Sequence, residues 1–155
     1  MVDVLCSREA VEDLIERQWV PFDVKDKGKA KPEEYVNTFS QDLISIFANG
    51  PEVHGIQGHL ASYRQLYENL CYVRRDVNSY DVIGDKIYME FTTLLILSSD
   101  PDQQLIAIRG CNVIQVATSG RDKNLIVRVH GYYDVGPAFD RLFQLGEAAS
   151  EEPFY

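Results

Sequence analysis

One carboxamide stands out among the apolar residues in the second half of the chain. Asn112 lies in a run where every second residue is isoleucine, glycine or valine. Alternate residues of a strand point to one face, so Asn112 is expected to be buried. An unpaired buried amide costs about 1–3 kcal/mol. The expected hydrogen-bond partner is Thr93, Tyr63, Tyr133, a trapped water or a ligand. Asn112 is then either a functional group or a core amide whose hydrogen bonds are all made within the protein.

The three histidines are candidates for proton transfer, which needs a titratable group within hydrogen-bond reach of the substrate. His54 precedes a predicted helix, near the expected mouth of a pocket, and is the first candidate acid or base. Its alternative role is to cap a turn. His59 is expected to be solvated, and His130 to lie on the polar face of the last strand, where it suits a dimer interface. Glu34 and Asp42 are expected at the surface.

Aromatic residues are frequent and suit a cavity for an aromatic or polyene ligand, although such residues also build ordinary cores. Gly110 and Gly131, on the face of Asn112, are expected to leave a hollow; the alternative is that they only permit strand curvature. The tyrosines that are candidates for this cavity are Tyr35, Tyr63, Tyr67 and Tyr133. The residues predicted to line the pocket are Thr93, Tyr133, Met89, Phe91, Trp19 and Gly131.

Motifs for cofactors and metals are missing from the sequence. It contains no P-loop, G-x-G-x-x-G segment or nucleophile elbow. His54 and His59 form H-x-x-x-x-H without a third ligand. Cys6, Cys71 and Cys111 cannot all pair within the chain and lack metal-binding spacing. We therefore expect no cofactor, no metal and a reducing, cytoplasmic setting.

Composition limits the classes of partner. The chain has 155 residues, of which 45% are hydrophobic, enough for one buried core. Its formal net charge of −9 would repel nucleic acid and anionic membranes. The N-terminal segment carries acids where a signal peptide needs bases, and the run Leu94 to Leu97 is too short to span a bilayer. The predicted apolar pocket, rather than the composition, makes a hydrophobic small molecule the expected ligand.

Helical spacing is typical of the first half of the chain. Apolar residues recur at this spacing from Arg8 to Trp19, with Ser7 as N-cap. A second helix is predicted to open at Pro32 and to end at Asn49. Its apolar stripe is Val36, Phe39, Leu43, Ile46 and Phe47. The third helix has an apolar face of Leu60, Tyr63, Leu66, Tyr67 and Leu70.

After about Cys71 the apolar period becomes that of strands. Strands are predicted at 75–83, 86–98, 105–116 and 125–134, separated by short turn-rich links that indicate an antiparallel meander. A last amphipathic turn covers 137–145. The pattern predicts an α+β fold in which a curved antiparallel sheet wraps on N-terminal helices, with one domain over 1–145 and a flexible tail over 146–155. In the last strand, the residues predicted on the buried face are Leu125, Val127, Val129, Gly131 and Tyr133.

This order of elements resembles the SnoaL-like, nuclear-transport-factor-2-like superfamily, a group with cystatin-like architecture. It includes ketosteroid isomerase, limonene epoxide hydrolase, scytalone dehydratase and polyketide cyclases. The resemblance covers roughly Glu9 to Phe143. Its strongest part, VHGIQGHLASYRQL at 53–66, is similar to the third-helix entry of ketosteroid isomerases. The segment LIVRVHGYYD at 125–134 is similar to the last strand of limonene epoxide hydrolases.

The resemblance implies a cone-shaped sheet around an apolar pocket, a homodimer, and a cofactor-independent enzyme. Such an enzyme would act on a polyketide- or terpenoid-like substrate in secondary-metabolite biosynthesis. The acid/base chemistry implied is cyclisation, isomerisation, dehydration or epoxide opening, with Asn112, His54 and Tyr63 as catalytic candidates. The alternative is a non-catalytic ligand-binding or dimerisation module of the same fold.

Neither family mechanism carries over intact. Asn112 falls where ketosteroid isomerases keep a protonated aspartic acid in the oxyanion hole, and Tyr63 falls near one of their pocket tyrosines. Gln18, however, stands at the place of their principal oxyanion tyrosine. The short strand that would hold their general base is expected to be trimmed. The residues that replace the arginine and two aspartates of the epoxide hydrolase triad are Phe91, Thr93 and Gly131.

Overall fold

The computed structural model describes residues 8–19 and 36–146, apart from the side chains of residues 18, 19, 66 and 67. Several predictions from the sequence therefore lie outside the described residues. They concern the N-cap, the loop before the predicted second helix, the start of that helix, and the tail beyond residue 146. The individual residues affected are Cys6, Ser7, Pro32, Glu34 and Tyr35, and the side chains of Gln18, Trp19, Leu66 and Tyr67.

Two of the three predicted N-terminal helices are confirmed. Helix α1 spans Arg8–Trp19 and buries Val11, Leu14 and Ile15. Helix α2 spans Gly55–Glu68. It begins at a glycine with φ +78°, a left-handed conformation that glycine adopts at little cost. The main core includes Val11, Leu14 and Ile15 from α1 and Ile56, Leu60 and Tyr63 from α2.

The predicted second helix is wrong over the part that the structure describes. Residues 36–38 form a short 3₁₀ turn, and strand β1 then spans Phe39–Phe47. The apolar residues of this segment fit a helical stripe, but its aromatic and β-branched residues also suit a strand. Pairing with two neighbouring strands decides the outcome. Strand β2 has only the two residues Val53–His54 and forms a short hairpin with β1.

The four predicted C-terminal strands are confirmed as an antiparallel meander. They form one six-stranded sheet of order β2-β1-β6-β5-β4-β3, in which β1 runs parallel to β6. A final helix, α3, spans Gly136–Gln144 and confirms the predicted amphipathic turn. The strand bounds are β3 Leu70–Ile83, β4 Lys86–Leu97, β5 Ile106–Val116 and β6 Ile126–Tyr133.

The sheet has an inner face, which packs on α1 and α2, and an opposite outer face. The predicted alternation is confirmed in β4 and β5, where every second residue is buried except Gly110, which is half-buried. It is wrong at the start of β6, where Ile126 is buried instead of its neighbours Leu125 and Val127. A register shift between Gln115 and Val116 moves this segment by one residue, and alternation as predicted resumes at Val129.

Helix α3 is held at one end of the sheet by an ion pair. Arg141 Nε donates to Asp100 Oδ2 at 2.8 Å, and the carboxylate also accepts two backbone N–H bonds. The guanidinium holds the pKa of Asp100 down to about 2. Leu142 and Ala138 pack on a second apolar cluster, formed by the ends of β3, β4 and β5. Tyr133 contacts both apolar clusters, so it connects the region of α3 with the main core.

Candidate functional site

Asn112 is buried on the inner face, as its position in the sequence predicts. Its side chain is 2% exposed, and Tyr133 donates its hydroxyl hydrogen to Asn112 Oδ1 at 3.3 Å. Among the described residues, no other hydrogen bond to the side chain of Asn112 is found. Its Nδ2 group is therefore available as a donor. The register places Met89, Asn112, Gly131 and Phe47 in one line across four strands.

Gly110 and Gly131 do not leave the hollow that the sequence suggested. A Cβ atom at Gly131 would lie 2.5 Å from Tyr133 Cε2, and one at Gly110 would lie 2.5 Å from Phe91 Cζ. Each glycine thus makes room for an aromatic ring that lies over it. The two rings meet edge to face at 5.5 Å. The ring over Gly131 carries the hydroxyl that bonds to Asn112, so the glycine positions this donor.

Arg75 is a buried cation on the same face that the sequence analysis did not single out. It is 9% exposed and lies directly opposite Thr93 in the β3–β4 ladder. Its guanidinium carbon lies 5.8 Å from the ring centroid of Tyr63 and 5.9 Å from that of Phe91, within the range of cation–π attraction. Strand alternation could have indicated that Arg75 is buried. Residues 74 and 75 are consecutive arginines in a strand, so only one of them can face outward.

His59 is buried, and the prediction that it is solvated is wrong. It is 1% exposed, because the first turn of α2 packs against β1. Its ring lies 4.8 Å from Tyr63, 5.0 Å from Phe39 and 5.9 Å from Phe47, measured between centroids. Burial, aided by the charge of Arg75, lowers the pKa of His59 from 6.5 to about 4. The imidazole is therefore neutral at neutral pH.

Together these side chains form what we term the inner-face polar group. It consists of His59, Tyr63, Arg75, Thr93, Asn112 and Tyr133. Ring and cation contacts through Phe91 connect its members across α2 and four strands. Thr93 is 6% exposed, and its Oγ1 has no hydrogen-bond partner among the described residues. Of the other predicted lining residues, Met89, Phe91 and Gly131 are buried beside it, and the side chain of Trp19 lies outside the described part.

His54, the first candidate acid or base, lies outside this group. Its side chain is 68% exposed, and its Nε2 lies 3.4 Å from Glu52 Oε2. His130 is half-buried at the outer face, where its ring stacks on Tyr132 at 4.1 Å. Asp42 lies at the surface as predicted and pairs with Arg121 at 2.8 Å. Of the three histidines, only His59 meets the other polar side chains of the interior.

Comparison with known proteins gives matches in structure. No family model matches the chain, and no curated protein matches it in sequence. A SnoaL-like protein from Jannaschia sp. CCS1, provisionally assigned as a polyketide cyclase, superposes with a TM-score of 0.68 at 14% identity, over 92% of this chain and 94% of that one. An LEH-like epoxide hydrolase from M. tuberculosis superposes with a TM-score of 0.63 at 17% identity, over 88% of this chain and 90% of that one.

A third structure, a protein of ketosteroid isomerase-like fold from Catenulispora acidiphila in complex with trimethylamine, gives a TM-score of 0.67 at 14% identity. It covers 91% of this chain and 98% of that chain. The chain has the SnoaL-like fold. At such identities the likeness establishes the fold and leaves the reaction to the chain's own residues.

Within this SnoaL-like fold, the inner-face polar group offers three kinds of chemistry. The amide of Asn112 can donate to an oxygen that gains negative charge. The neutral imidazole of His59 can accept a proton, and Arg75 supplies a permanent positive charge. The described part of the chain contains no group of three His, Cys, Asp or Glu side chains placed to hold a metal ion. Nor does that part contain a helix long and apolar enough to cross a membrane.

Proposed function

We propose that this chain is a cofactor-independent enzyme that acts by acid/base chemistry on a hydrophobic polyketide- or terpenoid-like substrate. The reaction would be a cyclisation, isomerisation, dehydration or epoxide opening in a biosynthetic pathway. The observation that carries the proposal is the hydrogen bond that half-buried Tyr133 makes to buried Asn112 on the inner face of the sheet. Structural neighbours that include an epoxide hydrolase and a provisional polyketide cyclase are consistent with it.

In this proposal Asn112 stabilises the oxyanion that develops on the substrate. Tyr133 fixes the amide through Oδ1, which directs the Nδ2 donor away from Tyr133. A donor held in advance in an apolar interior costs no reorganisation during the reaction. His59 replaces His54 as the candidate proton acceptor, because only His59 is in the interior, and Tyr63 positions its ring.

The test is the variant Asn112→Ala, with Asn78→Ala as its matched control. Asn78 is an exposed amide on β3 whose Nδ2 donates to Thr92. Turnover would be measured with a β,γ-unsaturated cyclic ketone and with a terpene epoxide, as representatives of two of the proposed reactions. Loss of one oxyanion donor lowers kcat by about 10²–10³-fold, so we expect that loss for Asn112→Ala alone. Unchanged turnover in a folded Asn112→Ala protein would end the assignment.

A non-catalytic binding or dimerisation module is the second candidate, and one observation favours it. The rings of Phe91 and Tyr133 occupy the space above Gly110 and Gly131, where a substrate was expected. A ligand that binds the native state must raise its melting temperature. If neither 2-naphthol nor naphthalene raises the melting temperature, a dimerisation module that binds no such ligand is the better account.

A further inference from the structure

His130 connects the outer face of the sheet to the turn between β1 and β2. Its Nε2 lies 3.1 Å from the backbone carbonyl oxygen of Ala48, and its Nδ1 lies 3.0 Å from the hydroxyl oxygen of Tyr132. A carbonyl oxygen can only accept a hydrogen bond, so Nε2 must carry a hydrogen. In the neutral ring, Nδ1 then accepts the hydroxyl hydrogen of Tyr132. These two contacts define the tautomer of His130.

Ala48, which accepts the bond from His130, has a strained backbone. Its φ of 51° lies in the left-handed region, which residues with a side chain rarely adopt. Such a conformation persists only where the surrounding structure fixes it. Here the carbonyl of Gly131 accepts the N–H of Ala48 at 2.6 Å, and His130 donates to the carbonyl of Ala48. His130 thus supplies one of the two hydrogen bonds by which β6 holds this residue.

Phe47 links this turn to the inner face of the sheet. It directly precedes Ala48 and pairs with Gly131 in the β1–β6 register. Its ring stacks on the imidazole of His59 at 5.9 Å between centroids, with 17° between the ring planes, and meets the ring of Tyr63 edge to face at 5.6 Å. A change in the backbone at Ala48 would therefore move the ring that lies against His59.

We propose that His130 is a positioning residue for the inner-face polar group. Its Nε2–H holds Ala48 in the left-handed turn, and the turn holds the ring of Phe47 against His59. This inference rests on the proposed function, because it names the residue that aligns the candidate proton acceptor, which must lie within hydrogen-bond reach of the substrate. It gives His130 a role in addition to the dimer interface that its place on the outer face suggests.

The first measurement is made on the wild-type protein. The chain has three histidines, and ¹H–¹⁵N spectra of their rings at neutral pH are assigned by the signals lost in His54→Gln and His59→Gln, which leaves His130. We expect a hydrogen on Nε2 of His130. A ring that carries its hydrogen on Nδ1 alone cannot donate to Ala48 and would overturn the inference. This measurement does not depend on whether a protein substituted at position 130 folds.

Two substitutions then separate the hydrogen-bond donor from the rest of the His130 ring. His130→Leu removes the donor, and His130→Gln keeps an N–H group that can reach the carbonyl of Ala48. His54→Leu is the matched control, because it makes the same change in the neighbouring strand β2, at a side chain that is 68% exposed. We expect the ring-proton resonances of His59 to shift in His130→Leu and to keep their wild-type positions in the other two proteins.

Turnover of the cyclic ketone and of the terpene epoxide connects this shift to the proposed reaction. A misplacement of roughly 1 Å can lower a rate about 100-fold, so we expect His130→Leu to lower kcat by up to about 100-fold. KM should be unchanged, because a proton acceptor contributes to the transition state rather than to substrate binding. His130→Gln should restore most of the lost kcat.

The outcomes separate this inference from the proposed function. Resonances of His59 that stay in place in a folded His130→Leu protein overturn the inference and leave the proposed function standing. So do equal shifts in His130→Gln or in His54→Leu, because the Nε2–H donor is then not what holds the ring. A shift without loss of kcat also overturns it. If both readouts behave as expected but Asn112→Ala keeps wild-type turnover, the proposed function fails, whereas the positioning of His59 by His130 stands.

Discussion

At the scale of single residues, strand alternation predicts part of the candidate site. Asn112 is predicted to be buried and bonded, and the structure confirms both. His59 could not be assigned in this way, because its burial depends on how the first turn of α2 packs against β1. The contact involves β1, which the sequence pattern predicts to be a helix because its apolar residues have helical spacing.

The buried imidazole makes folding stability depend on pH. The pKa of His59 falls from 6.5 to about 4 on folding, chiefly because burial disfavours its charged form. Between these values the unfolded chain binds a proton that the folded chain does not, so the free energy of unfolding decreases as the pH is lowered from 6.5 towards 4. Over the whole window, this titration of His59 lowers the free energy of unfolding by about 3 kcal/mol.

This prediction is checked by urea unfolding at several pH values in that window. His59→Gln should flatten the dependence, whereas His54→Gln, which changes an exposed histidine, should retain the wild-type slope. Asp100 contributes in a lower window, because its depressed pKa means that its stabilisation is lost only as the pH falls towards about 2. Equal slopes in the wild type and His59→Gln would show that His59 titrates normally.

At the scale of elements, aromatic rings from β4 and β6 lie over glycines of β5 and β6. Gly131→Ala would place a methyl carbon 2.5 Å from the ring of Tyr133, so the ring must move and its bond to Asn112 must lengthen or break. Overpacking of this kind costs about 1–3 kcal/mol. We expect Gly131→Ala to lower the free energy of unfolding by that amount and to weaken binding of 2-naphthol.

A double-variant cycle isolates the cause. In a Tyr133→Ala background the ring is absent, so Gly131→Ala should cost much less than it does in the wild type. Urea unfolding of the four proteins gives the coupling between the two sites. Strictly additive costs would mean that the methyl group and the ring do not meet.

The elements also show where sequence patterns reach their limit. The strands β3 to β6 are predicted because turn-rich links separate runs with strict alternation. Strand β1 is missed because Phe39, Leu43 and Phe47 satisfy a helical stripe, and only pairing with β6 and β2 selects the extended form. The bulge between β5 and β6 leaves no mark in composition, so the reversed alternation at Ile126 is not predictable from the sequence.

At the scale of the whole molecule, the fold is predicted from the order of its elements, and the comparisons support it at 11–17% identity. The reaction is not predictable in this way. In the proposed function it depends on a few side chains that approach from α2 and four strands, and a shared fold does not determine which side chains these are. Fold and function are therefore separate conclusions here.

We also propose that the molecule is a homodimer. Its outer sheet face presents Tyr88 and Tyr132, which are 37% and 47% exposed, beside charged residues such as Arg109. Such a mixture of aromatic and polar groups suits a partly polar interface. Sedimentation velocity at micromolar concentration should give twice the mass of the 17.7 kDa chain, and Tyr132→Glu should shift it towards the monomer. A monomer in the wild type contradicts this proposal.

The central claim is that the amide of Asn112 binds an oxygen atom of a ligand on the inner face. It is tested most directly by the ¹⁵N side-chain resonance of Asn112, assigned by its loss in Asn112→Ala. A hydrogen bond to 2-naphthol should shift this resonance, whereas naphthalene, which has no oxygen, should leave it in place. A resonance that stays fixed while 2-naphthol binds the folded protein would contradict the account.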